Sequence, residues 1–189
     1  MHTSFSELLK KIKKKEHPLI GIDGFGAAGK STLAEKIKNR LKSAQIIHID
    51  DFYKPSYLRS DEKSNSTLNE DFDWKRLEEE VFNKKRSNIT SFRYQRYDWP
   101  SDTMADFIEV DTRLPIIVEG VFSLQHRFFD LYDITVWVTA SENTIIRRAI
   151  ERDGIETKDT WLIEWQPVER KYFQSERPDV KAQFVLPGE

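Results

Sequence analysis

No cysteine occurs in the chain of 189 residues, which excludes a disulfide framework, a thiolate zinc site and a cysteine nucleophile. Neither sign of charge predominates, since 30 Lys and Arg face 32 Asp and Glu for a formal net charge of −2. So even a balance gives no field for gripping a nucleic-acid duplex or an anionic membrane, and a small-molecule partner is expected instead. No apolar run approaches membrane-spanning length, and the lysine-bearing N-terminus lacks the apolar stretch of a signal peptide. The expectation is a cytoplasmic protein, in which the sequons Asn65-Ser66-Thr67 and Asn88-Ile89-Thr90 are chance matches. His2, His17, His48 and His126 are scattered, so no histidine metal site is expected. Glycine is scarce as well, with 7 in all, yet Gly24, Gly26 and Gly29 stand close together.

Those glycines belong to Gly24-Phe25-Gly26-Ala27-Ala28-Gly29-Lys30-Ser31-Thr32, which fits the phosphate-loop pattern of glycine, four residues, glycine, lysine and serine or threonine. The glycines let successive backbone N–H groups turn toward one point, Lys30 adds a positive charge, and Ser31 offers a hydroxyl to Mg²⁺. A loop so built suits a polyphosphate, and all nine residues are candidate nucleotide contacts. The flanks agree: Leu19-Ile20-Gly21-Ile22 reads as a buried strand before the loop, and Leu33, Ile37 and Leu41 follow at helical spacing.

Along its length the chain alternates strand-like and helix-like segments, the pattern of an α/β fold with a parallel sheet of about five strands flanked by helices. Strands are expected over 19 to 23, 45 to 49, 115 to 119, 133 to 138 and 182 to 186. Helices are expected over 4 to 15, 30 to 42, 74 to 85, 141 to 152 and 158 to 175, the last interrupted or restarted at Pro167. No repeat or linker divides the chain, so residues 1 to 189 read as one domain. The polar segment 54 to 73 reads as a mobile loop on the binding face, and 89 to 96 with 106 to 110 as a hairpin outside the main sheet. Together they outline an insertion over roughly 54 to 112. The lysine run from Lys10 to Lys15 reads as the solvent face of the first helix.

Two acids end apolar strands. Asp50 follows Gln45-Ile46-Ile47-His48-Ile49, and Glu119 follows Leu114-Pro115-Ile116-Ile117-Val118. Ligands of open α/β sheets bind outside the carboxyl ends of strands, so Asp50, Glu119 and the phosphate loop can converge on one crevice. There an acceptor hydroxyl needs a base and Mg²⁺ needs oxygen ligands. Asp51 reads as an ordinary turn acid. Arg148 and Arg152 share a helix face at a like-charge spacing that favours an anion between them, whereas Arg147 can pair with Glu151. Trp161, Leu162, Trp165 and Val168 read as core. Asp73 is either a substrate contact or the N-cap of the helix opened by Trp74, and Trp99 is either core or a platform for a ring.

With Asp50-Asp51-Phe52-Tyr53, Tyr97-Asp98-Trp99, Ile117-Val118-Glu119-Gly120-Val121, Arg147-Arg148 and Arg152-Asp153 following the phosphate loop in order, the chain resembles the uridine kinase and phosphoribulokinase family of P-loop kinases. The resemblance runs from about Leu19 to Leu186. It implies that Asp50 matches the family's catalytic aspartate, that Ser31 and Glu119, with Asp50 beside them, match its Mg²⁺ positions, and that Tyr53, Asp73, Tyr97, Asp98 and Trp99 match its acceptor side. Two departures stand out: Trp99-Pro100-Ser101-Asp102 holds no histidine, and Asp153 is followed by Gly154, Ile155 and Glu156 instead of basic residues.

The reading is an ATP- and Mg²⁺-dependent kinase acting on a hydroxyl of a nucleoside or similar metabolite. Lys30 would hold phosphate, Asp50 take the hydroxyl proton, and Arg148 and Arg152 stabilise developing charge. Two alternatives stay open: a nucleotide-binding regulator or partner-coupled ATPase without a metabolite acceptor, and a kinase for a non-nucleoside such as pantothenate, glycerate or nicotinamide riboside. A homo-oligomer is compatible with either.

Overall fold

A computed structural model describes residues 4–59 and 70–188; Asn65-Ser66-Thr67 and the middle of the polar segment fall outside them. Five parallel strands form the main sheet: β1 (Leu19–Gly24), β2 (Gln45–His48), β5 (Ile116–Glu119), β6 (Ile134–Thr139) and β7 (Phe184–Pro187). Their order is β2-β5-β1-β6-β7, and the remaining two, β3 (Ser91–Asp98) and β4 (Thr103–Asp111), pair as a separate antiparallel hairpin. The hairpin is longer than its apolar pattern suggests and carries Tyr97 and Asp98 on its first strand.

Alternation along the strands sorts the core into two layers, because successive side chains of a strand point to opposite faces. Ile20, Ile22, Ile117, Ile134, Val136 and Val138 meet the aliphatic stripe of α1 (Phe5–Lys13) and α2 (Lys30–Leu41), including Leu8, Ile12, Leu33 and Ile37. Ile116, Val118 and Trp137 face the other way, into a layer rich in Phe52, Trp74, Phe82, Tyr94, Phe122, Phe128 and Tyr172. α1 starts with a reciprocal capping box between Ser4 and Glu7, and apart from Ile12 its lysine segment is solvated or half-buried, with Lys15 reaching Asp133 at 3.0 Å.

The helix α3 spans residues 74–86, with a π-wound middle turn at Glu78–Phe82. After the short α4 (His126–Phe129) and α5 (Glu142–Asp153), α6 runs over 158–176. Pro167 does not break it. Proline has no N–H to donate and crowds the preceding carbonyls, and the backbone widens to π bonding over Trp161–Trp165 just upstream. α7 (Pro178–Lys181) then leads into β7. Ile49 does not extend β2: it opens a 3-10 turn, Ile49–Phe52, that carries both acids of the Asp50-Asp51 pair. Among the described residues no helix is long and apolar enough to cross a membrane.

Candidate active site

A cavity of about 670 Å³ opens at the carboxyl ends of the central strands. Its floor is the phosphate loop, where Gly29 takes the left-handed conformation (φ +102°) at the N-terminus of α2. Helix N-termini present unpaired amides and partial positive charge to anions. Gly26, Ala27, Gly29, Lys30, Ser31 and Thr32 line the cavity, while Gly24, Phe25 and Ala28 stand outside the lining. Lys30 Nζ donates to the Phe25 carbonyl at 2.9 Å, folded back within the loop.

Oxygen donors gather beside it. Ser31 Oγ donates to Glu119 Oε1 at 3.0 Å, and Asp50 lines the cavity close by. Desolvation within the cavity first, and the charge of Glu119 second, push the Asp50 pKa above the usual carboxylate range, although the residue itself stays open to solvent. Burial would do the same to Glu119, but His48, Lys30 and Ser31 together hold its pKa below the ordinary value. Hard oxygen ligands of this kind suit Mg²⁺, with phosphates and water completing the shell. Among the described residues no set of three or more His, Asp or Glu makes a metal site unaided.

His48 was not legible as a member of this group. Its Nδ1 lies 2.5 Å from Glu119 Oε1, and the hydrogen bond to Glu119 raises its pKa. The signal was register: His48 and Glu119 end adjacent parallel strands as direct partners. Asp23 is also more than part of a motif. Fully buried, it accepts from Gly24 N (2.6 Å), Leu124 N (2.9 Å) and Tyr172 Oη (2.6 Å), tying β1, the segment after β5 and α6 together. Burial pushes its pKa up to about 6, against the pull of those hydrogen bonds.

The upper wall comes from α5 and α6. Arg148 and Arg152 both line the cavity, as their spacing suggests, with Arg148 Nη1 3.4 Å from the Ala28 carbonyl and Arg152 paired to Asp153 at 2.7 Å. Arg147 instead pairs with Glu151 in solvent at 3.0 Å. Trp161 and Trp165 are not simple core residues: both line the cavity, and α6 lays Trp161 against the phosphate loop at Gly26. A Cβ on Gly26 would come within 2.6 Å of Trp161 Cζ3, so glycine there permits the ring's approach. Gly26 N donates to the buried Glu169 at 3.0 Å, and burial raises that carboxyl's pKa. No sequence signal links Gly26 to Glu169, which lies 143 positions away.

Aromatic rings form the remaining wall. Tyr53 and Trp99 lie 4.4 Å apart, Tyr53 meets Phe72 edge-on at 5.0 Å, and all three line the cavity with Phe122. Trp99 is therefore a half-exposed wall residue and not core. Asp73, Tyr97 and Asp98 stand outside the lining. Asp73 is the N-cap of α3 and accepts from Arg76 N at 3.0 Å. Tyr97 donates to Asp102 at 2.5 Å, and Asp98 accepts from Ser101 at 2.7 Å, which fixes the hairpin tip. Asp51 is no ordinary turn acid: it is buried and accepts from Tyr94 Oη at 2.8 Å.

Comparison with known proteins matches residues 19–159 to the phosphoribulokinase / uridine kinase family. Over 146 residues the chain is 30% identical to the uridine kinase of Staphylococcus aureus (strain JH9), covering 74% of this chain and 70% of that protein. Among solved structures, one described as a possible uridine kinase from Bacillus stearothermophilus superposes with a TM-score of 0.74 at 23% identity, covering 96% of each chain. A D-glycerate 3-kinase from Cryptococcus neoformans var. grubii shares the fold at a TM-score of 0.54 and 12% identity, over 92% of this chain and 83% of that one.

Proposed function

The chain belongs to the phosphoribulokinase / uridine kinase family and is a P-loop kinase by descent, and from that premise we propose that it transfers the γ-phosphoryl group of ATP to a hydroxyl of a nucleoside or a similarly sized polar metabolite. The observation that carries the proposal is convergence: the phosphate loop, the Ser31–Glu119 pair, Asp50 and two arginines face one cavity whose far wall is aromatic. Phosphoryl transfer asks the protein mainly for positioning and charge stabilisation, and these groups supply both. The loop amides and Lys30 would bind the β- and γ-phosphates. Ser31 and Glu119, with Asp50 near them, would hold Mg²⁺, which when bound neutralises phosphate charge. Asp50 accepts the proton of the attacking hydroxyl, its raised affinity for protons suiting a base. Arg148 and Arg152 meet the charge that develops on the transferred group. Tyr53, Phe72 and Trp99 give the cavity an aromatic wall against which a planar acceptor would lie.

Transfer from ATP·Mg²⁺ to a panel of uridine, cytidine, adenosine, guanosine, nicotinamide riboside, glycerate and pantothenate tests the reading. A nucleoside or nicotinamide riboside accepting phosphate faster than water does is the expected result. Transfer to glycerate or pantothenate alone would move the acceptor class away from rings. ATP hydrolysis unaffected by every compound would favour a nucleotide-driven regulator with no metabolite acceptor.

A further inference from the structure

Two consecutive acids on the 3-10 turn Ile49–Phe52 part company: Asp50 faces the cavity, and Asp51 turns into the aromatic layer. A turn of four residues without a side-chain cap holds its own shape weakly, so what grips it decides where Asp50 points. The sheet grips one end, through buried Ile49 at the close of β2. Further holds come from α3 and the hairpin. Tyr94 Oη donates to the Asp51 carboxylate at 2.8 Å, and the Tyr94 ring stacks on Phe52 at 5.2 Å. Arg76 Nη2 donates to the Asp51 carbonyl at 2.9 Å, its Nη1 donates to the Gln95 carbonyl, and its guanidinium lies 4.6 Å over Phe52. One planar fork thus ties the turn to the hairpin, a geometry lysine cannot copy. Asp73 N closes the join by donating to the Phe52 carbonyl at 2.7 Å.

We propose that Asp51, Tyr94 and Arg76 are a positioning unit through which the acceptor-side insertion sets the carboxylate of Asp50. The inference rests on the reading of Asp50 as the proton acceptor. None of the three lines the cavity, so they act on Asp50 through the turn, Arg76 by its backbone and Tyr94 by the side chains of Asp51 and Phe52. Burial pushes the Tyr94 phenol's pKa up, so it remains the donor of this hydrogen bond. A buried acceptor left without its donor is destabilised, and the nearest relief is rotation of the turn toward solvent, which carries Asp50 with it.

Single-turnover transfer from ATP·Mg²⁺ to the best acceptor of the panel above provides the test, with ATP affinity and the folded fraction measured in parallel. Tyr94→Phe and Asp51→Leu are expected to lower the transfer rate by about 10- to 100-fold while ATP affinity stays within about 2-fold. Asp51→Asn keeps an oxygen for Tyr94 and should retain the rate within about 3-fold. Arg76→Lys, which preserves charge and loses the fork, should fall between and covers the case in which Asp51→Leu fails to fold. Wild-type rates in folded Tyr94→Phe and Arg76→Lys, beside an inactive Asp50→Asn, would overturn the positioning unit and leave the base in place. An active Asp50→Asn, or a wild type that phosphorylates no panel compound, would remove the reading underneath it.

Discussion

The two walls of the cavity are made differently. On the proposed phosphate side the cavity is lined by one contiguous stretch, Gly26 to Thr32 without Ala28, whose backbone amides and Lys30 would do the work. On the proposed acceptor side the lining is side chains, Tyr53, Phe72, Trp99 and Phe122, brought together from separate segments. A backbone cradle depends on local conformation, which a contiguous motif records. A side-chain wall depends on packing partners far away in sequence, and many combinations of rings would fill the same space. The contrast predicts that substitutions on the two walls fail in different ways.

The largest separation is expected between Asp50→Asn and Lys30→Ala. Asp50→Asn should lose about 10² to 10⁴ in single-turnover transfer at saturating Mg²⁺, with ATP affinity within a few-fold. Lys30→Ala should weaken ATP binding itself in calorimetry. Equal ATP affinity for Lys30→Ala and wild type would break the assignment of that wall to nucleotide.

Next come the arginines above the loop. A charge-stabilising arginine is worth on the order of 10³ or more in turnover, so Arg148→Met and Arg152→Met should lower kcat far more than the melting temperature. Arg147→Met is the control, since its ion pair with Glu151 lies in solvent and such pairs contribute about 0.5 kcal/mol or less. Three variants of equal activity would assign all three arginines to the helix surface.

Asp23 sharpens the comparison through pH. Its folded pKa of about 6 lies above the ordinary carboxylate value, so its favourable contribution is complete below about pH 4 and is lost as pH rises through about 6. Two units correspond to about 3 kcal/mol. Urea unfolding of wild type and Asp23→Asn at pH 4 and pH 7 should show their difference moving by up to that amount in the variant's favour. A pH-independent difference would mean that Asp23 does not titrate within the fold.

Gly26→Ala carries the smallest expected effect, about 1–3 kcal/mol of stability, because the added methyl meets the Trp161 ring and Glu169 Oε1. Adding Trp161→Leu should restore part of the loss. If the double variant is no better than Gly26→Ala, the constraint at Gly26 lies in the backbone and not in the ring above it.

The order of strands and helices, the phosphate loop and the approach of Asp50, Glu119, Arg148 and Arg152 to one crevice were legible in sequence, while Asp73 stayed open between a substrate contact and the cap it forms. Period-two and helical alternation, a loop of glycines and acids after apolar strands are consequences of local conformation, and local conformation is written in adjacent residues. Only the tertiary structure decided that His48 stands against Glu119, that Trp161 and Glu169 close over Gly26, that Trp99 is wall while Tyr97 and Asp98 hold the hairpin tip, and that Asp51 belongs to Tyr94. Contacts across separations of 43, 71 and 143 residues leave no period or spacing behind. They exist because the fold brings two surfaces together, and a buried polar group at that meeting must find a partner wherever the chain has placed one.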